Sequence, residues 1–171
     1  MFTILSIIGT RPEAIKMAPV VKELAKHSDR LRSLVCVSGQ HRHMLDQVLK
    51  LFEINPDFDL NIMEPDQRLS QLSATLFTTL DHVLQQVKPD CLLAQGDTTT
   101  VLVASLAAYY HGSRFGHVEA GLRTGDRYRP FPTMGLPLIG AFDEAIDSHS
   151  DGFGWYTGRG SWIGGSSAGD A

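Results

Sequence analysis

Cysteine is scarce in this chain, which limits what can hold the fold together. Only two cysteines, Cys36 and Cys91, occur among 171 residues, and each lies in an apolar run of the kind that forms buried strands. Two thiols in such positions are typical of unreactive core residues and do not suggest a disulfide framework. We therefore predict a fold that depends on a hydrophobic core, which the 43% hydrophobic content can supply.

Excess positive charge and long hydrophobic runs are also lacking. Lys and Arg number 15 against 19 Asp and Glu, so the formal net charge is −4. Such a balance gives no general attraction to nucleic acid or to an anionic membrane surface. The amino terminus lacks the basic segment of a secretory signal, and no apolar stretch approaches the roughly 20 residues of a membrane span. We predict a cytoplasmic protein with no nucleic-acid or membrane partner.

A third absence concerns glycine near the amino terminus. The stretch "GTRPEAIKMAP", residues 9–19, follows the apolar run "FTILSII" at once, as in a strand-to-helix turn. A dinucleotide-binding turn needs three glycines at G-x-G-x-x-G spacing so that the backbone can approach a pyrophosphate, but Gly9 stands alone. The sequence therefore predicts no nicotinamide cofactor, and we expect any ligand here to be held by side chains.

The sequence does contain a regular alternation of apolar, β-rich runs with segments of helical period. Strands are predicted at "FTILSII", "LRSLVCVS", "DFDL", "DCLLAQ" and "RFGHVE". The intervening helices are predicted at "PEAIKMAPVVKELAKH", "HRHMLDQVLKLF", "RLSQLSATLFTTLDHVLQQV" and "TTTVLVASLAAYYH". This alternation predicts an α/β fold, a doubly wound parallel sheet with helices on both faces.

Apolar stripes predict which faces of the first three helices are buried. In the first helix the stripe comprises Ile15, Ala18, Val21 and either Leu24 or Ala25. In the second it comprises Met44 or Leu45, then Val48, Leu49 and Phe52. In the third it comprises Leu69, Leu72, Leu76, Leu80, Val83 and Val87. The fourth helix is apolar on most of its sides.

The character of the chain changes near residue 133. Nine of the sixteen glycines lie in the last 37 residues, which show no sustained period apart from "LPLIGAF" and "DEAID". Gly- and Ser-rich composition is typical of irregular or flexible chain. We therefore predict a folded domain over residues 1–132 and an irregular or disordered tail over residues 133–171.

The first candidate site follows the first predicted strand. Ligands of open α/β sheets bind at the carboxyl ends of the strands, and Arg11 and Lys16 flank the helix start at that point. Cations there oppose the helix dipole and so gain nothing structurally. That mismatch favours binding of a phosphate or sugar-phosphate anion. The alternative is a solvated charge pair beside Glu13.

The second candidate site is "QGDTTT", residues 95–100, which ends a buried strand and opens a buried helix. Asp97 or one of the threonines could cap the helix. An acid at a strand end also faces the ligand crevice, and the hydroxyl groups of Thr98, Thr99 and Thr100 could bind sugar or phosphate oxygens. Both roles can coexist.

The third candidate site is "HVEAGLRTGDRYRPFP", residues 117–132, in which a strand ends and a polar, Arg-bearing loop follows. Charged loops at this position often carry function. His117 and Glu119 would point the same way from a strand, but two metal ligands without a third do not make a metal site. The sequence therefore predicts no metal.

Four motifs occur in order and at natural spacing from about residue 3 to 132. They are "GTRPEAIKMAPVV", "SGQHRHMLDQVL", "PD" before "GDTTT", and "GHVEAGLRTGDRYRPFP". Together they resemble the bacterial non-hydrolysing UDP-N-acetylglucosamine 2-epimerase family. The resemblance implies the amino-terminal, Rossmann-like half of a GT-B fold. It also implies conversion of UDP-N-acetylglucosamine (UDP-GlcNAc) to UDP-N-acetylmannosamine without a cofactor, by a homodimer that feeds surface-polysaccharide synthesis.

The resemblance further implies a mechanism. Family members eliminate UDP to give 2-acetamidoglucal and then add UDP back to the inverted sugar. The proton at carbon 2 is not adjacent to a carbonyl group, so its direct removal is hard. By similarity, Asp97 and Glu119 are the catalytic carboxylates, and Lys16 is the cation that stabilises the departing pyrophosphate.

The remaining family roles concern binding. By similarity, the substrate-binding residues are Arg11, His117 and Arg123. Gln40 and His43, in "GQHRH", match the region in which bacterial relatives bind a second UDP-sugar as an activator. We therefore expect an allosteric site at these two residues.

The chain departs from the family pattern after "RPFP". The family continues with roughly "EExNR", whereas this chain reads "TMGLPLIGAF", and we expect one catalytic glutamate and the second domain to be missing. This predicts a truncated or frame-shifted gene product, or a shortened form, with little or no turnover. Two alternatives stay open. One is a hydrolysing relative that releases UDP and N-acetylmannosamine, and the other is a non-catalytic half-domain that binds sugar nucleotides or pairs with a full-length subunit.

Overall fold

The computed structural model describes residues 1–39, 42–64 and 66–118. Their strands are β1 (Phe2–Ile8), β2 (Leu31–Val37), β3 (Phe58–Asp59), β4 (Cys91–Ala94) and β5 (Arg114–His117). Their helices are α1 (Arg11–Ala25), α2 (Arg42–Leu51), α3 (Leu69–Val87) and α4 (Thr99–Tyr110). Each strand and helix predicted from the sequence is confirmed. The predicted tail, residues 133–171, lies outside the described residues.

The five strands form one parallel sheet in the order β3-β2-β1-β4-β5. β1 is central: Phe2 lies opposite Leu31 of β2, and Ile4 lies opposite Cys91 of β4. The chain thus builds outward from β1 in one direction and then, after α3, in the other. The predicted α/β, doubly wound class is confirmed.

Each face of the sheet carries its own hydrophobic core. Neighbouring residues of β2 point to opposite faces: Leu34 and Cys36 pack with α3 and α4, whereas Val35 and Val37 pack with α1 and α2. The continuous apolar runs of the strands follow from this arrangement, because both faces are covered by helices. The sheet is therefore packed between two helical layers, and the loops occupy its carboxyl edge.

The buried stripe of α1 differs from the predicted one. Ala18 and Val21 are buried as predicted, but Ile15 is 48% exposed, and Ala14 and Met17 are fully buried in its place. The two stripes share Ala18 and Val21, so periodicity alone does not separate them. The true register also buries Glu13, and a charged residue is not expected on a buried face.

In α2 and α3 the residues predicted to be buried are buried or partly buried, with one exception. Of the alternatives in α2, Leu45 is buried and Met44 is 42% exposed. In α3 the prediction was wrong for Leu69, which is 60% exposed because it is the first residue of the helix and precedes the turns that pack on the sheet. Leu84, which the predicted stripe omitted, is fully buried.

Both thiols are buried and free, as predicted. Burial, together with the nearby Asp59, raises the pKa of Cys36 to about 12. Burial raises the pKa of Cys91 to about 11. Neither thiol therefore ionises near neutral pH, which makes both poor nucleophiles. In the described part of the chain, no helix combines the length and apolar character that crossing a membrane requires.

Candidate active site

The predicted site lies at the carboxyl edge of the sheet, between β1 and β4. Strand order reverses here, because β1 is followed by β2 on one side whereas β4 is followed by β5 on the other. In open parallel sheets, ligands bind in the crevice that this reversal opens. Two loops border it: residues 9–10 after β1 and residues 95–98 after β4.

Gly9 follows β1 and lies against the first turn of α4. A Cβ atom at this position would come within 2.5 Å of Thr100 Oγ1 and 2.9 Å of Thr100 Cβ, closer than non-bonded atoms can approach. Thr100 is itself buried, and its hydroxyl oxygen lies 3.2 Å from Ser38 Oγ at the end of β2. The single glycine therefore lets the loops after β1, β2 and β4 meet. Close packing of these loops explains why residue 9 is a glycine, and no approach of the backbone to a pyrophosphate is needed to explain it.

Glu13, in the first turn of α1, is buried inside the site. It is 2% exposed, and its Oε2 accepts the N–H of Gly9 at 2.6 Å and that of Thr10 at 2.9 Å. Glu13 thereby supplies its half of the capping box with Thr10 that begins α1. Burial raises the pKa of the Glu13 carboxyl group, and its polar neighbours Thr98, Gly9 and Thr10 oppose that rise.

The burial of Glu13 corrects one interpretation of the sequence. A solvated charge pair beside Glu13 is wrong, because this carboxylate lies in the interior and bonds to backbone N–H groups. Sequence reasoning missed Glu13 and Ser38 as residues of the site. The T-x-x-E spacing from Thr10 to Glu13 was the available signal for Glu13, since it is typical of a capping box.

Arg11 and Lys16 are both exposed on α1. Arg11 is the first residue of the helix, and Lys16 follows within the second turn. Both residues therefore lie near the positive end of the helix dipole, which favours an anion there. Their predicted contacts with a substrate stay predictions.

The loop after β4 distinguishes the two roles left open for "QGDTTT", namely capping of the helix and binding of a ligand. Thr98 is the N-cap residue of α4, although its side chain makes no capping hydrogen bond, and Asp97 precedes it as a half-buried residue. Asp97 therefore does not hold the cap position, which fits a role toward a ligand. The suggestion that the Thr100 hydroxyl binds a ligand is wrong, because that hydroxyl is buried against Ser38.

His117, the last residue of β5, supports the loop after β4. Its Nε2 donates a hydrogen bond to the carbonyl oxygen of Gly96 at 2.7 Å, and its ring stacks near Phe115 with centroids 6.4 Å apart. Gly96 has a φ of +99°, a backbone conformation that favours glycine. The histidine thus holds a loop whose shape is unusual. Its predicted contact with the substrate stays a prediction.

Several predicted residues fall outside the described part of the chain. Gln40, Glu119 and Arg123 lie outside it, and so does the side chain of His43 on α2. Their proposed roles stay predictions. Within residues 1–39, 42–64 and 66–118, no group of three or more His, Cys, Asp or Glu side chains is arranged to hold a metal ion.

A cavity of about 720 Å³ lies at the opposite edge of the sheet, beside Phe2 and Arg114, where β1 and β5 begin. Two of its polar groups, Asp90 and Ser113, have structural partners: Ser113 Oγ donates a hydrogen bond to the carbonyl oxygen of Pro89 at 2.7 Å. Asp90 Oδ2 accepts the N–H of Thr3 at 2.7 Å, which ties the start of β4 to β1. This cavity therefore gives no reason to move the candidate site away from the carboxyl edge.

A doubly wound parallel sheet with polar side chains at its strand-order reversal defines a Rossmann-like α/β domain. Residues 22–133 match the family model described as UDP-N-acetylglucosamine 2-epimerase. The chain belongs to the UDP-N-acetylglucosamine 2-epimerase family, and the resemblance found in its motifs is confirmed.

Relatives with known sequences and structures resemble the chain closely over a limited length. UDP-N-acetylglucosamine 2-epimerase of Yersinia pestis is 58% identical over 129 residues, which are 75% of this chain and 34% of the relative. The crystal structure of the Neisseria meningitidis enzyme bound to UDP-GlcNAc has a TM-score of 0.76 and 51% identity, over 82% of this chain and 39% of that one. S. aureus MnaA in a co-structure with UDP has a TM-score of 0.76 and 50% identity, over 83% and 37%. The chain thus spans about a third of the length of the curated relatives it matches.

Proposed function

We propose that this protein is a UDP-GlcNAc 2-epimerase and that the described residues form its amino-terminal, sugar-nucleotide-handling domain. The observation that carries the proposal is the 51% identity, at a TM-score of 0.76, to an epimerase crystallised with UDP-GlcNAc. The reversal of strand order between β1 and β4, with its polar loops, gives such a ligand a place to bind.

The proposed reaction proceeds by elimination and re-addition. A carboxylate removes the proton from carbon 2 while the bond between carbon 1 and the UDP oxygen breaks, and its electron pair leaves with UDP. The carbon 1–carbon 2 double bond of 2-acetamidoglucal forms. UDP then adds back to carbon 1 as carbon 2 receives a proton on the opposite face. Asp97 and Glu119 are the proposed proton-transfer groups.

Cations assist the same step by stabilising the negative charge that grows on the departing pyrophosphate. We assign this role to Lys16, and we assign placement of the substrate to Arg11, since both are exposed in the first two turns of α1. Arg123 is proposed to contact the substrate from the loop beyond β5. His117 is proposed to bind substrate as well, in addition to holding the Gly96 carbonyl group.

The finer proposals about setting and regulation rest on the resemblance. We propose that the protein works in the cytoplasm, that its product feeds surface-polysaccharide synthesis, and that Gln40 and His43 belong to a regulatory UDP-sugar site. The net charge of −4 supports a small-molecule partner over nucleic acid or an anionic membrane.

We also propose that the protein forms a homodimer, with the outward face of α4 at the interface. Leu102, Leu106, Tyr109 and Tyr110 recur at spacings of three and four and share one side of the helix. The two tyrosines are 47% and 65% exposed, and the two leucines are only half-buried. A helix that is apolar on nearly every side is normally buried, so this face fits a second copy of the chain.

A proton NMR time course with UDP-GlcNAc in deuterated water tests the proposed chemistry. Deuterium that enters at carbon 2 with the wild-type chain, even slowly, would show that the chain retains proton-transfer chemistry, because the proton removed there exchanges with solvent before it returns. The Lys16→Ala, Asp97→Ala double variant should lose this exchange.

A matched control removes one lysine and one aspartate elsewhere. Lys22 lies in the last turn of α1 and Asp29 in the following loop, and their side chains are 48% and 70% exposed. The Lys22→Ala, Asp29→Ala variant should keep the exchange. Exchange that survives in Lys16→Ala, Asp97→Ala would contradict the assigned site. Release of free N-acetylmannosamine would show the hydrolysing reaction, and binding without exchange would show a non-catalytic sugar-nucleotide domain.

A further inference from the structure

Two buried polar atoms on opposite sides of the candidate site have no hydrogen-bond partner. They are Glu13 Oε1, on the first turn of α1, and Thr98 Oγ1, at the start of α4. Buried side-chain oxygens are nearly always hydrogen-bonded in native proteins, so two in one site need an explanation. The other oxygen of Glu13, Oε2, already accepts two backbone N–H groups.

The contacts of Glu13 place its unpartnered oxygen against the loop that carries Thr98. A Cβ atom built on Gly96 would lie 3.5 Å from Glu13 Cγ and 3.6 Å from Glu13 Oε1, so the carboxylate packs against the loop after β4. Thr98 follows in that same loop and does not use its hydroxyl group to cap α4. Among the polar neighbours of the carboxyl group, Thr98 lowers the pKa of Glu13 most. The Thr98 hydroxyl group therefore lies beside the carboxylate and is the donor from which Glu13 Oε1 can accept a hydrogen bond.

We propose that Glu13 is a positioning residue, whose carboxylate accepts a hydrogen bond from the Thr98 hydroxyl group and so fixes Asp97 relative to α1. Asp97 is the direct neighbour of Thr98, and α1 carries Arg11 and Lys16. This hydrogen bond holds the two sides of the crevice together and sets the distance between the Asp97 carboxylate and the cations. The positioning role of Glu13 rests on the proposed function, whereas the pairing of Glu13 with Thr98 does not depend on it.

Other charged groups surround Glu13 and must be separated from it. On the described elements they are Arg11 and Lys16 on α1, Asp97 in the loop after β4, and His117 on β5, which bonds to Gly96. The variant Glu13→Gln therefore assigns any titration to Glu13, since it leaves those groups in place.

A pH titration of the ¹⁵N-labelled chain, followed by amide chemical shifts, tests the coupling without substrate. The amides of Gly9 and Thr10 should titrate with a midpoint above 4.5, because burial raises the pKa of Glu13 from that value. The amides of residues 96–98 should follow with the same midpoint. Both responses should vanish in Glu13→Gln.

Two substitutions at Thr98 make a matched pair, because Thr98→Ser keeps the hydroxyl group and Thr98→Val keeps the shape without it. In Thr98→Ser both loops should titrate together. In Thr98→Val the Gly9 and Thr10 amides should still titrate, but residues 96–98 should no longer follow. A shared midpoint that persists in Thr98→Val would overturn the proposal, and so would a wild-type loop that does not titrate. The Thr98 pair decides the question even where Glu13→Gln does not fold.

Deuterium exchange at carbon 2 then links the coupling to the reaction. Thr98→Val should slow exchange by about ten- to a hundredfold, because a small misplacement of a catalytic group has effects of that size. Its affinity for UDP should stay within about twofold of wild type, and Thr98→Ser should restore the exchange rate. Equal exchange rates in Thr98→Val and wild type would overturn the positioning role. Coupled titration without exchange in the wild type would instead contradict the proposed function and leave the coupling intact.

Discussion

Glu13 shows how a single residue can join local and tertiary structure. Its Oε2 caps the first turn of α1, while its other oxygen faces a loop that is more than 80 positions away in sequence. Burial disfavours the ionised form of the carboxyl group, and the neighbouring donors offset part of that cost. The residue is therefore a point at which the protonation state of one group influences the stability of the whole domain.

We expect Glu13→Gln to change how stability depends on pH. The folded-state pKa of Glu13 lies above the usual 4.5, so between the two values the folded state binds more protons than the unfolded state. The contribution of Glu13 to stability is thus fully present below pH 4.5 and is lost as the pH rises through the folded-state pKa. In urea titrations at several pH values, the free energy of unfolding of Glu13→Gln should therefore rise relative to wild type across this window.

Glu23→Gln is the control for that experiment, because its effect has the opposite sign. Glu23 is exposed, and its hydrogen bond to Lys26 lowers the pKa of its carboxyl group. The contribution of Glu23 to stability is present above the unfolded-state pKa and is lost as the pH falls. The free energy of unfolding of Glu23→Gln should therefore fall relative to that of wild type as the pH rises. A Glu13→Gln difference that stays constant with pH would contradict the assignment.

Among the elements, α1 is the one whose orientation the site depends on. Its true buried stripe, with Ala14 and Met17 against the sheet, turns Glu13 inward and leaves Lys16 exposed. The predicted stripe through Ile15 would have turned the helix so that Glu13 pointed away from the sheet. Because the two stripes share Ala18 and Val21, a rotation of the helix by less than one residue position decides which side chains it presents to the crevice.

Substitutions on α1 distinguish the two registers. Met17→Ala should lower the free energy of unfolding by about 2–5 kcal/mol, because it removes a fully buried side chain and leaves a cavity. Ile15→Ala should change it by only about 0.5 kcal/mol, since Ile15 is 48% exposed. Urea unfolding followed by circular dichroism measures both. Equal losses, or a larger loss for Ile15→Ala, would contradict the observed register.

The elements themselves could be predicted because their signals are local. Continuous apolar runs mark β1 and β4, and helical periods of three and four mark α2 and α3. What could not be predicted is the orientation of α1, since Ile15 is more hydrophobic than Ala14 and Glu13 is charged. Glu13 is buried because backbone N–H groups of the preceding loop bond to it, and the composition of the sequence does not indicate such bonds.

For the molecule as a whole, the notable feature is the apolar side of α4, which a single copy of the described chain leaves exposed to solvent. Tyr110 makes an edge contact with Phe77 of α3, with ring centroids 5.5 Å apart, and extends the apolar surface across two helices. Aromatic residues on a surface of this kind commonly anchor protein interfaces. The proposed homodimer would bury them.

Sedimentation equilibrium tests the proposed homodimer. The double variant Tyr109→Ser, Tyr110→Ser should weaken self-association at least about thirtyfold, because buried aromatic anchors contribute about 2 kcal/mol or more. Leu51→Ser is the matched control, since Leu51 is 75% exposed at the end of α2. A wild-type chain that remains monomeric, or an equal effect of Leu51→Ser, would contradict the proposed interface.

The sequence by itself determined the order and kind of the elements, the α/β class, the fate of the two thiols and the family. These properties depend on periodicity, composition and short motifs, which are recorded along the chain. It also named the stretches that border the crevice, because strand ends at the carboxyl edge of a parallel sheet are where such sites form.

Only the tertiary structure decided how those stretches meet. Thr100 turned out to be buried against Ser38, which is 62 positions away, and His117 was found to hold Gly96, which is 21 positions away. Gly9 is required by the approach of α4, and Glu13 is buried because two loops close over it. Such contacts depend on where distant segments come together in space, and no local pattern in the sequence records that.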